Sequence, residues 1–184
     1  MKIEEVVPGL IRISLWRLDS LNVYILGDVL LDSGPRFSLK SLLAAVKSFT
    51  IRVHALTHAH FDHQGCSHTL CTLLDIPLWC GEGDRAAVES GDLSLVFPPS
   101  SVRMARLGQW LAGPGHPVSR SLHEEDKVGG FTVIEVPGHP SGHLAYWREM
   151  ARALVIGDVL FHRNPVTFKR GLSEPSALQH SIPR

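Results

Sequence analysis

Three imidazoles and one carboxylate fall within six consecutive residues of the segment Thr57-His58-Ala59-His60-Phe61-Asp62-His63. Neutral imidazole and carboxylate are the donors that zinc and its near neighbours take at neutral pH. Gathering several of them at the end of an apolar run is expensive to desolvate unless something pairs with them. A bound divalent ion removes that cost, so the chemistry to expect is hydrolysis at a metal. A solvated histidine-rich turn, with one or two rings capping a helix, is the alternative for this segment taken alone.

The spacing divides the donors. His58 and His60 are two residues apart, and in extended backbone their side chains point to the same side and can grip one ion together. Asp62 and His63 fall where a helix should begin. A first-turn carboxylate suits the positive end of the helix dipole, and from there the pair can hold a second ion beside the first. Farther along, Pro137-Gly138-His139-Pro140-Ser141-Gly142-His143 follows a β-rich run, and glycine lets the backbone turn tightly enough for His139 to point back across a sheet end. Val155-Ile156-Gly157-Asp158 is a third apolar run, ending in a carboxylate. Alone, each of these two reads as a polar turn.

The elements that must position these residues follow from periodicity. β-rich runs over 3–7 and 10–15 flank Pro8-Gly9, and runs over 22–26 and 29–31 flank Gly27-Asp28, predicting two hairpins. Asp32-Ser33-Gly34-Pro35 breaks the sheet, and Leu39, Leu42, Leu43 and Val46 recur at helical spacing, predicting a helix over 38–49. A strand over 51–56 delivers the histidine cluster, a helix over 62–74 follows, and 77–80 reads as a short strand. Residues 81–120 read as helices and loops, and strands return over 131–136, 144–148 and 153–156. Strand groups at both ends, with helices after the first and in the middle, predict one α/β domain over residues 1–184 in which two packed sheets are covered by helices.

The totals narrow the partners. Eighteen basic and eighteen acidic residues cancel, so no broad basic surface awaits a phosphate backbone and nucleic acid is not an expected partner. Residues 1–8 carry Lys2, Glu4 and Glu5 and lack the apolar core of a signal peptide; no run approaches a membrane span, so a cytoplasmic protein is expected. Cys66, Cys71 and Cys80 are odd in number and lack CxxC spacing, which predicts reduced, half-buried thiols.

Together the three donor segments resemble the metallo-β-lactamase superfamily, which carries HxHxDH after one strand, a glycine-flanked histidine after another and a Gly-Asp pair after a third. Asp32-Ser33-Gly34 resembles that family's early aspartate motif, and the likeness runs from Asn22 to about Phe161. The resemblance implies a four-layer αββα sandwich with the metal site at one edge of the packed sheets and the C-terminal part shortened. It implies that His58, His60 and His139 hold a first ion, that Asp62 and His63 hold a second, and that Asp158 bridges the two. Asp32 is then the residue that fixes the HxHxDH loop, and His143 makes a structural hydrogen bond. Members of the family supply one further histidine beyond the Gly-Asp pair. His162 lies too close to Asp158 to match, and His180 sits in a segment, 175–182, that reads as the start of a helix. A shortened second sheet would leave apolar surface for a second copy, so a homodimer is expected.

The implied activity is hydrolysis of a small thioester, ester, lactone or lactam. The implied cofactor is zinc, one or two ions, with iron or manganese as alternatives. In such a site the pKa of water falls from near 16 to about 7, and no serine or cysteine nucleophile is needed. Asp62 is the residue expected to orient that water and carry its proton. Glyoxalase II-like thioesterases share the pattern but carry a C-terminal glutathione-binding region that nothing in this sequence matches, and lactonases often place a tyrosine where Phe161 and His162 stand. β-Lactam turnover, a mononuclear iron oxygenase of the same fold and a catalytically impaired metal-binding protein are the alternatives. Trp16-Arg17-Leu18 and the stretch with Phe97, Met104, Leu107, Trp110 and Leu111 could form apolar lips over the site, with core packing as the alternative; Arg103, Arg106 and Lys169 are the nearest candidates to bind an anion.

Overall fold

The central strands are mostly apolar at successive positions, so both faces of the larger sheet are apolar and each must be covered by a layer. The computed structural model describes residues 1–16 and 21–159, apart from the side chains of residues 104 and 107. Strands β1 (Lys2–Val7), β2 (Leu10–Ser14), β3 (Asn22–Leu26) and β4 (Val29–Leu31) run antiparallel, and β5 (Val53–Ala55), β6 (Leu78–Gly81) and β7 (Val118–Leu122) continue the sheet in parallel. The result is a seven-stranded mixed sheet in the order β1 to β7. A second, antiparallel sheet has the order β11-β10-β9-β8, from β8 (Lys127–Val128), β9 (Phe131–Glu135), β10 (Leu144–Arg148) and β11 (Ala153–Val155).

Val23, Ile25 and Leu30 face helices α1 (Leu39–Val46), α3 (Ser67–Leu74), α4 (Arg85–Ser90) and α5 (Val102–Ala112), where Leu42, Leu70, Val88 and Ala105 close one core. Leu26, Val29, Leu31 and Ala55 face the other way, onto Phe131, Val133, Leu144 and Tyr146 of the second sheet, and form the core between the sheets. Each fully buried Leu, Ile or Phe contributes about 1.5–3 kcal/mol of burial, so this pattern fixes the strand register. On the outer face of the second sheet, Val136, Ala145 and Val159 form a small third cluster. The segment 175–182, read as the start of a helix, lies outside the described residues, as do His162, Lys169, His180, Arg17 and Leu18. Among the described residues no helix is long and apolar enough to cross a membrane.

The divided helix, the strands β7 and β8 and the depth of the cysteines differ from the sequence expectation. The single helix expected over 62–74 is two, α2 (Phe61–Gln64) and α3. Between them the backbone pairs with Ser33 instead of with itself: Ser33 N–H donates to the His63 carbonyl at 2.7 Å, and Cys66 N–H donates to Ser33 Oγ at 3.1 Å. Strand β7 was not anticipated because its middle, Ser119-Arg120-Ser121, is polar, as an edge strand tolerates. The three cysteines are free, as expected, but fully buried rather than half-buried; Cys66 donates its thiol to the Pro35 carbonyl at 3.2 Å, and burial pushes its pKa up to about 12.

Tyr146 ties the sheets together where the site begins. It is fully buried, and its hydroxyl donates to the carbonyl of Leu56 at 2.8 Å, one residue before Thr57. Tyr146→Phe leaves that buried carbonyl without this donor and should cost about 1–2 kcal/mol. A lower urea midpoint at unchanged m-value is the expected reading; an unchanged midpoint would show that the bond contributes nothing.

Candidate metal centre

Every chemically active residue emerges where an apolar strand stops. Asp32 follows β4, the histidine cluster follows β5, Asp84 follows β6, His139 follows β9 and Asp158 follows β11. Most positions inside these strands are apolar, His54 of β5 being an exception, so the donors collect where the pairing ends. The turns then gather them at one edge of the sandwich.

Two overlapping groups result. Ligand atoms of His58, His60 and His139 lie within 4.8 Å of one another, and so do those of His58, His63 and Asp158. His58 Nε2 is 3.1 Å from His60 Nδ1, His63 Nε2 is 3.4 Å from Asp158 Oδ1, and His139 Nε2 is 3.7 Å from Asp158 Oδ2. Two donors on one tetrahedral zinc are separated by about 3.3 Å, so these spacings are those of atoms sharing an ion. The donor set, four imidazoles and a carboxylate, therefore fits a divalent transition metal. Asp62 lies in the first turn of α2, half-buried, and belongs to neither group.

Asp32 holds the cluster from behind. It is buried, with φ +61°, a left-handed conformation that costs a non-glycine residue about 1–2 kcal/mol. Its carboxylate repays that strain. Oδ1 accepts Thr57 N–H at 2.7 Å, and Oδ2 accepts the Thr57 hydroxyl at 2.8 Å and lies 2.9 Å from His63 Nδ1. Because the Thr57 hydroxyl donates to Asp32, only its lone pairs remain for His58 Nδ1, 3.0 Å away. His58 Nδ1 must then carry the proton, which leaves the Nε2 lone pair to face the centre. By the same logic His63 Nδ1 donates to Asp32, and Nε2 faces Asp158.

Charge follows the same layout. Burial, reinforced by His63, His60 and His143, holds His58 well below the ordinary histidine range, so its imidazole is neutral. Burial would lower His63 too, but the carboxylates of Asp32 and Asp158 overcome it and hold it well above the ordinary value. For Asp158, burial opposes ionisation and the surrounding histidines, His63 foremost, outweigh it, so it stays ionised far below the usual carboxylate range.

His143 is fully buried, lies against His58 with ring centres 4.7 Å apart, and accepts Asp158 N–H on Nε2 at 3.2 Å, which is the structural hydrogen bond expected of it. A Cβ on Gly157 would stand 2.7 Å from His143 Nε2, and its φ is +52°, so the residue before Asp158 has room only for hydrogen. Of the apolar lip residues, Phe97 is buried with its ring centre 4.5 Å from that of His60, whereas Trp110 is 70% exposed. Arg103 and Arg106 are exposed.

Two supporting residues escaped sequence reasoning. His54 is fully buried; Nδ1 donates to the Leu30 carbonyl at 3.0 Å and Nε2 accepts from Ser67 Oγ at 2.8 Å, and burial pushes its pKa down to about 4. Asp84 is fully buried, accepting backbone N–H groups of Ala59 and Gly142, and burial, only partly opposed by those two donors, pushes its pKa up to about 7. Asp84 was findable: it is a carboxylate just past an apolar strand end, like Asp32 and Asp158.

Comparison with known proteins places this arrangement. The model of the metallo-beta-lactamase superfamily matches residues 16–182. A hydroxyacylglutathione hydrolase of Bdellovibrio bacteriovorus is 30% identical over 153 residues, covering 78% of this chain and 50% of that one. The chain spans about half the length of the curated relatives it matches. The crystal structure of TTHA1623 in a di-iron-bound form superposes with a TM-score of 0.74 at 30% identity, over 94% of this chain and 84% of that one. BLEG-1, described as a B3 metallo-beta-lactamase, gives 0.71 at 26% identity, over 94% and 83%.

The charge layout fixes the direction of two effects. In the metal-free protein the folded pKa of His63 lies above its unfolded value of about 6.5, so the stabilisation from its ion pairs is complete below that pH and is lost as pH rises through the folded value. A metal must displace the proton, so zinc affinity should rise with pH, and uptake at about pH 7 should release about one proton. Calorimetry in two buffers of different ionisation enthalpy measures this; heats that do not depend on the buffer would show His63 neutral. Asp32→Ala should weaken zinc binding about 10–100-fold by freeing Thr57 and His63.

Proposed function

Because the chain belongs to the metallo-β-lactamase superfamily, we propose that it is a metal-dependent hydrolase acting on the carbonyl of a small thioester or related ester. The observation that carries this reading is the convergence of His58, His60, His63, His139 and Asp158 from both sheets within ligand-sharing distance. The likeness to a hydroxyacylglutathione hydrolase supports a thioester, and the likeness to BLEG-1 supports β-lactam opening as a second reaction of the same site. Zinc suits the donor set, and iron does so too, as in the di-iron-bound relative.

A divalent ion at this edge supplies acidification of water and polarisation of a carbonyl. The protein's residues do the rest. His58, His60 and His139 would hold an ion at one position, and His63 and Asp158, joined by Asp62 from α2, would hold one at another. Asp158 reaches toward both groups, 3.4 Å from His63 and 3.7 Å from His139. Asp62 accepts the proton of the attacking water at a carboxylate oxygen as the carbon–oxygen bond forms, and returns it to the thiolate that departs when the carbonyl re-forms and the carbon–sulfur bond breaks. The buried ring of Phe97 against His60 puts apolar surface beside the cluster, which favours an acyl group.

Thioester turnover should disappear on chelation and return with zinc or ferrous iron. His58→Ala and His60→Ala should reduce both metal content and turnover to background, whereas Asp62→Ala should lower turnover more than it lowers metal content. Undiminished turnover in metal-stripped protein would refute the reading.

A further inference from the structure

The four histidines of the candidate donor set come from two loops that belong to different sheets, residues 57–63 after β5 and residues 137–143 after β9. The carboxylate of Asp84 hydrogen-bonds to the backbone of both. Asp84, in the turn between β6 and α4, has no exposed surface; Oδ2 accepts Ala59 N–H at 2.8 Å and Oδ1 accepts Gly142 N–H at 2.9 Å. Ala59 stands between His58 and His60, and Gly142 lies between His139 and His143.

The backbone around this contact is shaped to admit it. A Cβ on Gly142 would fall 2.3 Å from Asp84 N and 2.6 Å from Asp84 Oδ1. One on Gly81 would fall 2.1 Å from the Gly142 carbonyl oxygen, and one on Gly83 would fall 2.8 Å from Gly142 N. Ser141 Oγ adds a donor bond to the Gly83 carbonyl at 3.3 Å. Three glycines thus bring the β6–α4 turn and the 137–143 loop into backbone contact, and the buried carboxylate of that turn, Asp84, places one oxygen on each of the two ligand loops.

We propose that Asp84 is a positioning residue of the metal centre, a two-ended clamp that sets the distance between the His58–His60 pair and His139. It touches neither ligand side chain in any bond described above and acts through the backbone of the residues beside them. This inference rests on reading the edge of the sandwich as a metal centre. It adds that the first three-histidine group is assembled by a carboxylate outside the ligand set, independently of Asp32, which serves Thr57 and His63.

Asp84→Asn tests it, because the shape is kept while only one oxygen remains to accept; the amide group must turn its own donors toward the other N–H. Zinc affinity, measured by competition with a chromophoric chelator, should fall about 10–100-fold, and the visible spectrum of the cobalt-loaded variant should change. Val118→Ala, a core truncation on the edge strand β7, serves as a control for destabilisation alone and should keep wild-type zinc affinity. In the unmodified protein, the amide hydrogens of Ala59 and Gly142 should be protected from exchange. Wild-type zinc affinity in Asp84→Asn, an equal loss in Val118→Ala, or rapid exchange of both amides in the unmodified protein would each overturn the clamp. Failure of the unmodified protein to bind zinc at all would instead remove the metal-centre reading itself, and the clamp with it.

Discussion

The carboxylate of Asp32 is the interaction on which the rest of the site depends. A single buried group orients the Thr57 backbone, the Thr57 hydroxyl and the His63 ring. Through the hydroxyl it also decides which nitrogen of His58 carries hydrogen. A metal ligand needs its lone pair aimed before the ion arrives, and an imidazole free to exchange tautomers would have to be ordered on binding. Here the ordering is done by folding. That explains why a left-handed aspartate persists where a glycine would relieve the backbone.

The same preorganisation creates an electrostatic tension. His58 is held neutral by burial while His63, its neighbour at a ring-centre distance of 3.9 Å, is held charged by two carboxylates. Without a cation the cluster relies on one shared proton to balance Asp32 and Asp158. Replacing that proton by a divalent ion satisfies the same carboxylates with a larger charge and engages the lone pairs of the other rings. Buried ionisable groups are tolerated at this density because a partner of the opposite sign completes them.

Much of this was legible in the sequence, for a definite reason. The strand before each motif is apolar and short, so the donor at its end is conspicuous: His58 after Leu56, His139 after Val136, Asp158 after Ile156. The hairpins over β1 to β4 were equally plain because Pro8-Gly9 and Gly27-Asp28 punctuate alternating runs. What escaped detection depends on contacts distant in sequence. The break between α2 and α3 arises from Ser33, thirty residues away from His63 in the chain. Strand β7 hides because an edge strand can afford serine and arginine. Asp84 and His54 have unremarkable neighbours, and only the approach of Ala59, Gly142, Leu30 and Ser67 gives them their roles.

The provenance of the donors has a mechanical meaning. His58, His60 and His63 hang from the seven-stranded sheet, whereas His139 and Asp158 hang from the four-stranded one. A cation gripped by both would rivet the two layers at their rim, beyond the apolar interior that already glues them. Loading and cohesion between layers then become two faces of a single equilibrium: whatever lets the sheets slip must loosen the ion, and whatever tightens the ion must resist the slip.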